Sequence, residues 1–445
     1  MLDISNKSQI INSSFDISNI FIDFLHEMAL TVSGYSGGEP FMLKRENYMR
    51  RIRPFIGNDL IKVITGIRRC GKSVMLSLIQ QEIKASGVSD EHFIMINFEN
   101  MSSANLTSAE TLREEILMRV ESIPGKVYLF LDEIQEVDRW EQCINSLRIE
   151  LDCDIYITGS NATLLSGELA TYLAGRYVEF VIYPFSFSEF LAAFSTEGAP
   201  PEIHESFRKY LKLGGMPYLH NLHFEEEPVA QYLRDVYNSV VLKDIVKRHR
   251  IRDIDLLERI IAYLTANIGT EISANSISKF FRSEGRVVST ETILNYIKAC
   301  EDSFLFNRIR RQDVQGKRIL ASNEKFYIAD HGIREAIFGG NTKDIQLVLE
   351  NIVCMELLRR GYQVTVGKSA DKEIDFICEK QSEKMYLQVT YLLASDDTIK
   401  REFGVFKYVS DNYPKYVLSM DELNMSRDGI RHMNIRDFLL ETHDN

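Results

Sequence analysis

Residues Ile61–Ser73 read IKVITGIRRCGKS and combine a strand signal with a ligand-binding signal. The first five residues are mostly β-branched, which predicts a short buried strand. Gly66, Gly71, Lys72 and Ser73 then follow in the spacing G-x-x-x-x-G-K-S, and a helical pattern begins at Lys72. Because this spacing stands between a strand and a helix, we interpret it as a phosphate-binding loop and not as a chance glycine turn.

Phosphate binding requires the residue types of this loop. Glycines allow backbone N–H groups to close around phosphate oxygens, and the following helix directs the positive end of its dipole at the anion. Lys72 is placed to reach the β- and γ-phosphates, and the Ser73 hydroxyl is placed to bind Mg²⁺. Arg68 and Arg69 either add charge for the phosphates or pack on the protein surface. The predicted nucleotide-binding residues are Gly66, Arg69, Gly71, Lys72, Ser73 and Val74.

A second motif follows about sixty residues later, in the stretch KVYLFLDEIQEVDRW, residues 126–140. Five bulky apolar residues ending in Asp132 and Glu133 are typical of a central parallel strand that delivers carboxylates to a metal site. We predict that Asp132 holds the Mg²⁺ ion and that Glu133 orients and polarises the attacking water. The alternative is a strand capped by acidic residues at its solvent end.

Two further candidates lie at the ends of later strands. The stretch DIYITGSN, residues 154–161, predicts a strand after which Ser160 or Asn161 contacts the γ-phosphate or the water, unless these residues form an ordinary turn. Arg176 precedes the predicted strand 177–185 and is a candidate arginine finger, acting on its own subunit's nucleotide or on a neighbouring subunit's. A surface arginine is the alternative. The predicted catalytic residues are Glu133, Asn161 and Arg176.

Alternation of strands and helices over residues 42–190 predicts an α/β fold with a doubly wound parallel sheet and the nucleotide at the carboxyl ends of its strands. Residues 1–41, rich in Ser, Asn and Gly, are expected to be poorly ordered, with Met42 as a hypothetical natural start. The chain is long enough for about three domains. Three more segments are predicted after the sheet: a helical lid or linker over 191–252, a winged helix-turn-helix over 253–330 and an α/β unit over 331–445.

Bulk properties narrow the class of protein. The net charge of -12 argues against a protein that coats nucleic acid along its whole surface, although it allows a local basic face. The six cysteines lack C-x-x-C pairing, which predicts reduced thiols in a cytoplasmic protein. No apolar run reaches the roughly 18 residues of a membrane span, so we predict no membrane contact.

Residues 253–330 predict three helices and a β-hairpin, the elements of a winged helix. In a DNA-binding version the third helix enters the major groove and the wing contacts phosphates of duplex DNA. Against this, Glu291, Glu301 and Asp302 on the third helix would be repelled by DNA, and a protein partner or a lid is the alternative. The predicted DNA contacts are Arg310, Arg311, Lys317 and Arg318.

The final segment carries acidic residues in the order of a metal-dependent nuclease. Glu350 lies on a helix, Asp375 on a following strand and Gln388 on the next strand. Where such a site has Glu-x-Lys, this chain has Gln388-Val389-Thr390 and therefore lacks both the carboxylate and the lysine. A strand pair with polar ends is the simpler interpretation of the same residues.

Taken together, these motifs resemble one family. The motifs are GIRRCGKS, FLDEIQ, ITGSN, LAGR and PFSFSEF in the first part, LGGMP and KDI in the middle, and LEN, EIDF and LQV at the end. The chain from Leu43 onward resembles bacterial and archaeal AAA-type ATPases with a C-terminal DUF4143 domain. The resemblance implies an ASCE-type P-loop core that binds ATP and Mg²⁺ at Lys72, Ser73 and Asp132. It also implies a winged-helix linker and a restriction-endonuclease-like terminal domain, here a degenerate PD-(D/E)xK type.

The sequence therefore predicts an Mg²⁺-dependent ATPase whose nucleotide state controls how its C-terminal half engages DNA or a protein partner, with homo-oligomerisation left open. One alternative is an ATP-regulated nuclease, which requires Glu350, Glu356 and Asp375 to gather around a metal ion. Another is a non-hydrolysing scaffold that holds a nucleotide. Glu133 argues against the scaffold, because a protein that only binds nucleotide does not need a carboxylate for water activation.

Overall fold

The computed structural model describes residues 42–165, 173–195, 202–314, 319–339, 344–369 and 372–441. The predicted poorly ordered segment 1–41 lies outside these residues, as do Lys317 and Arg318 of the predicted wing.

The first sheet has five parallel strands in the spatial order β2-β3-β4-β1-β5. Its strands are β1 Ile61–Thr65, β2 Phe93–Asn97, β3 Val127–Asp132, β4 Cys153–Gly159 and β5 Tyr177–Val181. The helices of this part are α1 Glu46–Ile52, α2 Lys72–Ala85, α3 Ala109–Val120 and α4 Trp140–Glu150. The predicted parallel α/β sheet is therefore confirmed.

Side chains on the two faces of the central strands enter two different hydrophobic cores. Ile64, Phe130 and Tyr156 face the larger core, whereas the neighbouring residues Val63 and Leu131 face the smaller one. Successive side chains of a strand point to opposite faces, so a parallel strand covered on both sides needs a continuous apolar run. This is why the strands read as uninterrupted apolar stretches.

Strand order determines which loops meet at the carboxyl edge of the sheet. β4 lies between β1 and β3, so the chain leaving β4 lies between the phosphate-binding loop and the end of β3. Parallel strands all end at the same edge, where ligands of such sheets bind. The topology therefore places Ser160 and Asn161 between Lys72 and Asp132.

A helical region follows the first sheet. It contains α5 Phe187–Phe194, α6 Ile203–Leu213 and α7 Glu226–Ser239, and α7 continues into a π-helical segment, Val240–Lys247. Helix α5 spans the predicted domain boundary at residue 190. The π-helical segment has no counterpart among the sequence-based expectations, since its extra residue per turn leaves no local sequence signature.

Three helices and a hairpin then follow in the predicted order. They are α8 Ile254–Ala266, α9 Ala274–Ser283, α10 Thr290–Asp302, β6 Phe306–Asp313 and β7 Ile319–Ile328. Helix α10, the expected recognition helix, contacts Ala162–Leu165 and the π-helical segment. β6 pairs not only with β7 but also in parallel with β8, Gln363–Ser369. The hairpin is thus part of a larger sheet and not a free wing.

That second sheet has seven strands in the order β12-β11-β10-β9-β8-β6-β7. Its remaining strands are β9 Lys372–Lys380, β10 Glu383–Val389, β11 Lys415–Ser419 and β12 Arg431–Asn434. The accompanying helices are α11 His331–Phe338, α12 Ile345–Arg359, α13 Asp396–Gly404 and α14 Ile435–Leu440. The sheet crosses the predicted boundary at residue 330, and the larger core runs from Ile64 of β1 to Leu357 of α12. The two halves of the chain therefore share one core.

Two class predictions can be compared with the fold. In the part of the chain that the structure describes, no helix combines the length and apolarity needed to cross a membrane. All six cysteines are free and buried, as the missing C-x-x-C spacing predicts.

Candidate active site

The phosphate-binding loop connects β1 to α2 in a conformation that only glycine adopts easily. Gly66 has φ 141°, and a Cβ atom there would lie 2.2 Å from the carbonyl oxygen of Ile182. Gly71 has φ 101° and stands at the amino-terminal cap of α2. A side chain at either position would strain the backbone, so both glycines of the motif are required by the path of the loop.

Lys72 turns back into the loop. Its Nζ atom lies 3.2 Å from the carbonyl oxygen of Gly66 and 3.4 Å from that of Ile67. The Glu133 carboxylate is 3.7 Å away, and the Lys72 side chain is 4% exposed. The ammonium group is therefore desolvated but mostly held by neutral carbonyl groups, which leaves its charge available to an incoming anion.

Asp132 ends β3 within a network of hydroxyl and amide donors. Thr158 Oγ1 donates to its Oδ1 at 2.5 Å, and Asn97 Nδ2 donates to its Oδ2 at 2.7 Å. Burial raises the pKa of Asp132 above its usual value, although hydrogen bonds from Thr158 and Ser73 oppose the shift. The exposed Ser73 hydroxyl and the Asp132 carboxylate are hard oxygen donors of the kind that Mg²⁺ prefers.

This donor set fits magnesium better than an all-protein metal site. Among the described residues there is no group of three or more His, Cys, Asp or Glu side chains that could hold a metal ion. Mg²⁺ typically takes one or two protein oxygens and completes its shell with phosphate and water, so Ser73 and Asp132 suffice.

Glu133 has the backbone of a tight turn immediately after β3. Its φ is 57°, and its backbone N–H donates to Thr158 Oγ1 at 2.8 Å. The carboxylate accepts a hydrogen bond from the Gln135 side chain. Thr158 thus fixes both acidic residues, since its hydroxyl accepts from one and donates to the other. Sequence reasoning selected the end of this strand but missed Thr158 and Asn97, whose side chains carry no motif.

A cavity of about 310 Å³ opens above these groups. The loop residues Arg68 and Arg69 line it together with Lys72 and Val74 of α2 and with Glu133. Its other walls are formed by Met42, Leu43, Arg45, Gly71, Ser73, Asn97, Glu99, Asp132, Phe185, Pro217, Tyr218, His220, Asn221 and Tyr232. The volume lies within the usual range for small-molecule sites. The sequence marked LGGMP only as a loop and did not indicate the tyrosine and histidine contacts that follow it.

The predicted catalytic residues do not all reach this cavity. Asn161 is buried just after β4, at the edge of the sheet that carries the cavity. Arg176 precedes β5, and its carbonyl oxygen accepts from the Ile61 N–H at the opposite end of β1. Four strand residues at about 3.3 Å each separate that end from the loop, about 13 Å. Arg176 instead donates to Asn145 Oδ1 at 3.0 Å, so the structure places it away from this cavity, and its action as an arginine finger stays a prediction.

Comparisons with known proteins agree with this geometry. Residues 58–191 match the family model described as AAA domain. An uncharacterized protein of Haemophilus influenzae is 37% identical over 402 residues, which cover 90% of this chain and 99% of that protein. The uncharacterized protein MJ1544 of Methanocaldococcus jannaschii is 31% identical over 383 residues, which cover 82% of this chain and 81% of that protein. This chain belongs to their family.

Other matches concern the middle of the chain and solved structures. Residues 204–344 match a domain of unknown function, DUF8612, while the DUF4143 label for residues 331–445 stays a prediction. The Orc1 protein of Aeropyrum pernix in complex with DNA is 12% identical, with 66% of this chain and 91% of that chain covered and a TM-score of 0.30. DnaA of Aquifex aeolicus is 13% identical, with 59% and 89% covered and a TM-score of 0.31.

Outside the AAA domain, the structure gathers a second group of charged residues between α12 and the second sheet. Lys325 of β7 places its Nζ atom 2.8 Å from Glu373 and 3.0 Å from Glu350. The Asp375 carboxylate lies 3.9 Å from the same atom. Burial raises the pKa of Asp375 well above its usual value, and the charge of Glu350 adds to the shift. We call Lys325, Glu350, Glu373 and Asp375 the carboxylate cluster.

This cluster contradicts two expectations of the nuclease hypothesis. Glu356 does not join it, because its carboxylate accepts from Arg360 Nε at 2.7 Å on another face of α12. The absence of Glu-x-Lys does not leave these acidic residues without a lysine, since Lys325 enters from β7 and pairs with Glu350 and Glu373. Gln388 is turned to its neighbours: its Oε1 accepts from the Asp375 N–H at 3.2 Å, and its Nε2 donates to Glu402 at 2.9 Å.

The predicted DNA contacts are also divided by the fold. Arg310 is exposed on β6. Arg311 is 3% exposed and pairs with Glu271 at 2.5 Å and with Glu373 at 3.7 Å, so phosphates cannot reach it. Alternation along a strand sends neighbouring side chains to opposite faces, and no sequence pattern indicates that the Arg311 side chain meets Glu271 and Glu373.

Proposed function

We propose that this protein binds ATP with Mg²⁺ and hydrolyses it at the AAA domain. The observation that carries the proposal is the convergence of Lys72, Ser73, Asp132 and Glu133 on one cavity at the carboxyl edge of the first sheet. These side chains include a cation for the phosphates, oxygen ligands for Mg²⁺ and a carboxylate for the attacking water. The match to an AAA domain supports the same proposal of ATP hydrolysis.

The residues divide the work as follows. Lys72 binds the β- and γ-phosphates in place of its present carbonyl contacts. Ser73 and Asp132 would hold Mg²⁺, which would supply positive charge beside the phosphates. Glu133 orients and polarises the attacking water, and Thr158 holds the Asp132 carboxylate and the Glu133 backbone in position. Asn161 serves as a polar contact for the γ-phosphate or the water.

One wall of the cavity suits a nucleotide base. The rings of Tyr218 and Tyr232 are 5.1 Å apart, and both tyrosines line the cavity with Pro217 and His220. Aromatic faces and an apolar proline favour stacking of a flat heterocycle. We propose that adenine binds against this wall of the cavity.

Two substitutions test the reaction. Lys72→Ala should weaken ATP binding beyond detection at ordinary concentrations, because the cation that meets the phosphates is lost. Glu133→Gln should keep ATP affinity within about threefold while turnover falls about 10²- to 10⁴-fold, since only water activation is removed. Binding is measured with a fluorescent ATP analogue and turnover by phosphate release. Undiminished turnover in Glu133→Gln would overturn the role of that residue, and the exposed Glu121→Gln serves as control.

We further propose that the nucleotide state controls engagement of a partner by the C-terminal half, and that the partner is a protein more readily than duplex DNA. Support comes from helix α10, which packs on the AAA domain and carries acidic residues, and from Arg311, whose charge is already paired. Turnover measured with and without duplex DNA at two salt concentrations tests this choice. Salt-sensitive stimulation by DNA would reverse it, because phosphate contacts weaken as salt rises.

A further inference from the structure

The π-helical segment carries a buried aspartate whose carboxylate binds an arginine of the phosphate-binding loop. Asp244 has a side chain that is 1% exposed, and its Oδ2 accepts from Arg68 Nε at 2.9 Å. Its Oδ1 accepts from Arg68 Nη2 at 3.3 Å and from Ser160 Oγ at 3.1 Å. This carboxylate therefore connects the loop after β1 and the chain after β4 to the π-helical segment. Arg68 and Asp244 are 176 residues apart in the chain.

Arg68 is held on the wall of the nucleotide cavity by two acids. Besides its pair with Asp244, it donates from Nη1 to Glu99 Oε1 at 3.0 Å. A guanidinium group binds carboxylate and phosphate in the same two-pronged manner. Asp244 and Glu99 thus occupy the donors that Arg68 would offer to a phosphate in that cavity.

The same segment also reaches the turn after β3. Arg248 follows it directly, with Nη2 3.6 Å from Asp244 Oδ1 and 3.7 Å from Glu136 Oε1. Residues 240–248 consequently contact the chain leaving β1, β3 and β4, which are the strands that build the ATP site. π-Helical turns are rare and concentrate at functional sites. Beyond this segment the chain continues into α8.

We propose that Asp244 is a positioning residue that couples the γ-phosphate of ATP to the π-helical segment Val240–Lys247. With ATP bound, Arg68 turns from Asp244 and Glu99 to the γ-phosphate, and Asp244 loses its closest cation, so the segment loosens. With ADP bound there is no γ-phosphate, and Arg68 stays with Asp244. This inference rests on the proposed ATP binding. It adds the contacts through which the nucleotide bound in the cavity affects helices α8 to α10.

The test measures nucleotide affinity and amide hydrogen exchange of residues 240–247 in the full chain. The nucleotides are ADP and a non-hydrolysable ATP analogue, each with Mg²⁺. Asp244→Asn removes the charge at constant size, and Arg68→Gln combined with Asp244→Asn leaves no buried charge without its partner. Asp235→Asn is the matched control, because Asp235 is an exposed acid on the preceding helix α7.

In the natural protein we expect the analogue, but not ADP, to raise exchange in residues 240–247 on the order of tenfold. In Asp244→Asn, exchange should already be raised without nucleotide, and affinity should shift toward the analogue over ADP by about tenfold, since Arg68 is freed. The double variant should lose the difference between nucleotides in the exchange of residues 240–247, while the affinity difference that Lys72 provides remains. Asp235→Asn should behave like the natural protein.

The outcomes separate this inference from the proposed function. If the natural protein binds neither nucleotide, the proposed function fails and this inference with it. If it binds both, but exchange ignores the γ-phosphate or Asp244→Asn keeps the natural response, only the coupling by Asp244 is overturned. Should Asp244→Asn not fold, the double variant decides: exchange of residues 240–247 that still differs between the two nucleotides overturns the inference.

Discussion

Two lysines of this molecule are buried to the same extent but have neighbours of different charge. The side chains of Lys72 in the AAA domain and Lys325 in the carboxylate cluster are both 4% exposed. Lys72 has one carboxylate at 3.7 Å and otherwise carbonyl oxygens, whereas Lys325 has carboxylates at 2.8, 3.0 and 3.9 Å. The charge of Lys72 is therefore available to a ligand, whereas the charge of Lys325 is neutralised by carboxylates of the protein itself. Burial alone does not distinguish a binding lysine from a structural one; the charge of its neighbours does.

The largest expected effect is on stability, and it should separate the two lysines. Lys325→Met leaves the buried carboxylates of Glu350 and Asp375 without their shared cation and should lower the free energy of unfolding by about 3–5 kcal/mol. Lys72→Met removes only contacts to neutral carbonyls and one acid beside an open cavity, so its cost should stay below about 1 kcal/mol. Denaturant unfolding of both variants without nucleotide measures the difference. Equal losses would mean that the two sites are built alike.

A smaller effect should appear when metal ions are added to the same variants. If Lys325 stands in for a metal ion, Mn²⁺ should bind the vacated cluster of Lys325→Met and restore about 1–3 kcal/mol of stability. The natural protein without nucleotide should gain almost nothing there, because the ammonium group fills the place. Thermal unfolding with Mn²⁺ or with EDTA gives the comparison. An equal gain in the natural protein would revive the metal-dependent nuclease hypothesis.

The smallest effect concerns pH. Burial, followed by the charge of Glu350, raises the pKa of Asp375 well above its usual value. A carboxyl group whose folded-state pKa is raised stabilises the fold below its unfolded pKa, and this contribution is lost as pH rises through the folded value. Stability of the natural protein should therefore decline from acidic toward alkaline pH by more than that of Asp375→Asn. Parallel slopes in the two proteins would exclude Asp375 as the titrating group.

The failures of sequence-based prediction have identifiable physical causes. Arg176 is a candidate arginine finger by its place before the strand 177–185, yet a residue that precedes a parallel strand lies at the edge opposite to the ligand, which the predicted topology already implies. The sequence does not predict that the side chains of Arg311 and Lys325 are paired. The acidic partner that they share lies on a strand that comes close to them only because β6 pairs with β8. Glu356 was grouped with Glu350 by type, although six residues along a helix turn the two side chains to different faces.

The sequence by itself determined the ATP site, because its parts are local. A loop of eight residues between one strand and one helix already contains the glycines, the lysine and the serine, and the acids follow directly at the end of a second buried strand. Only the tertiary structure decided which charged side chains pair with one another outside this site. Asp244 and Arg68 meet across 176 residues, and Lys325 and Glu350 meet across 25. Such pairs depend on packing of distant elements, and no spacing within the chain encodes them.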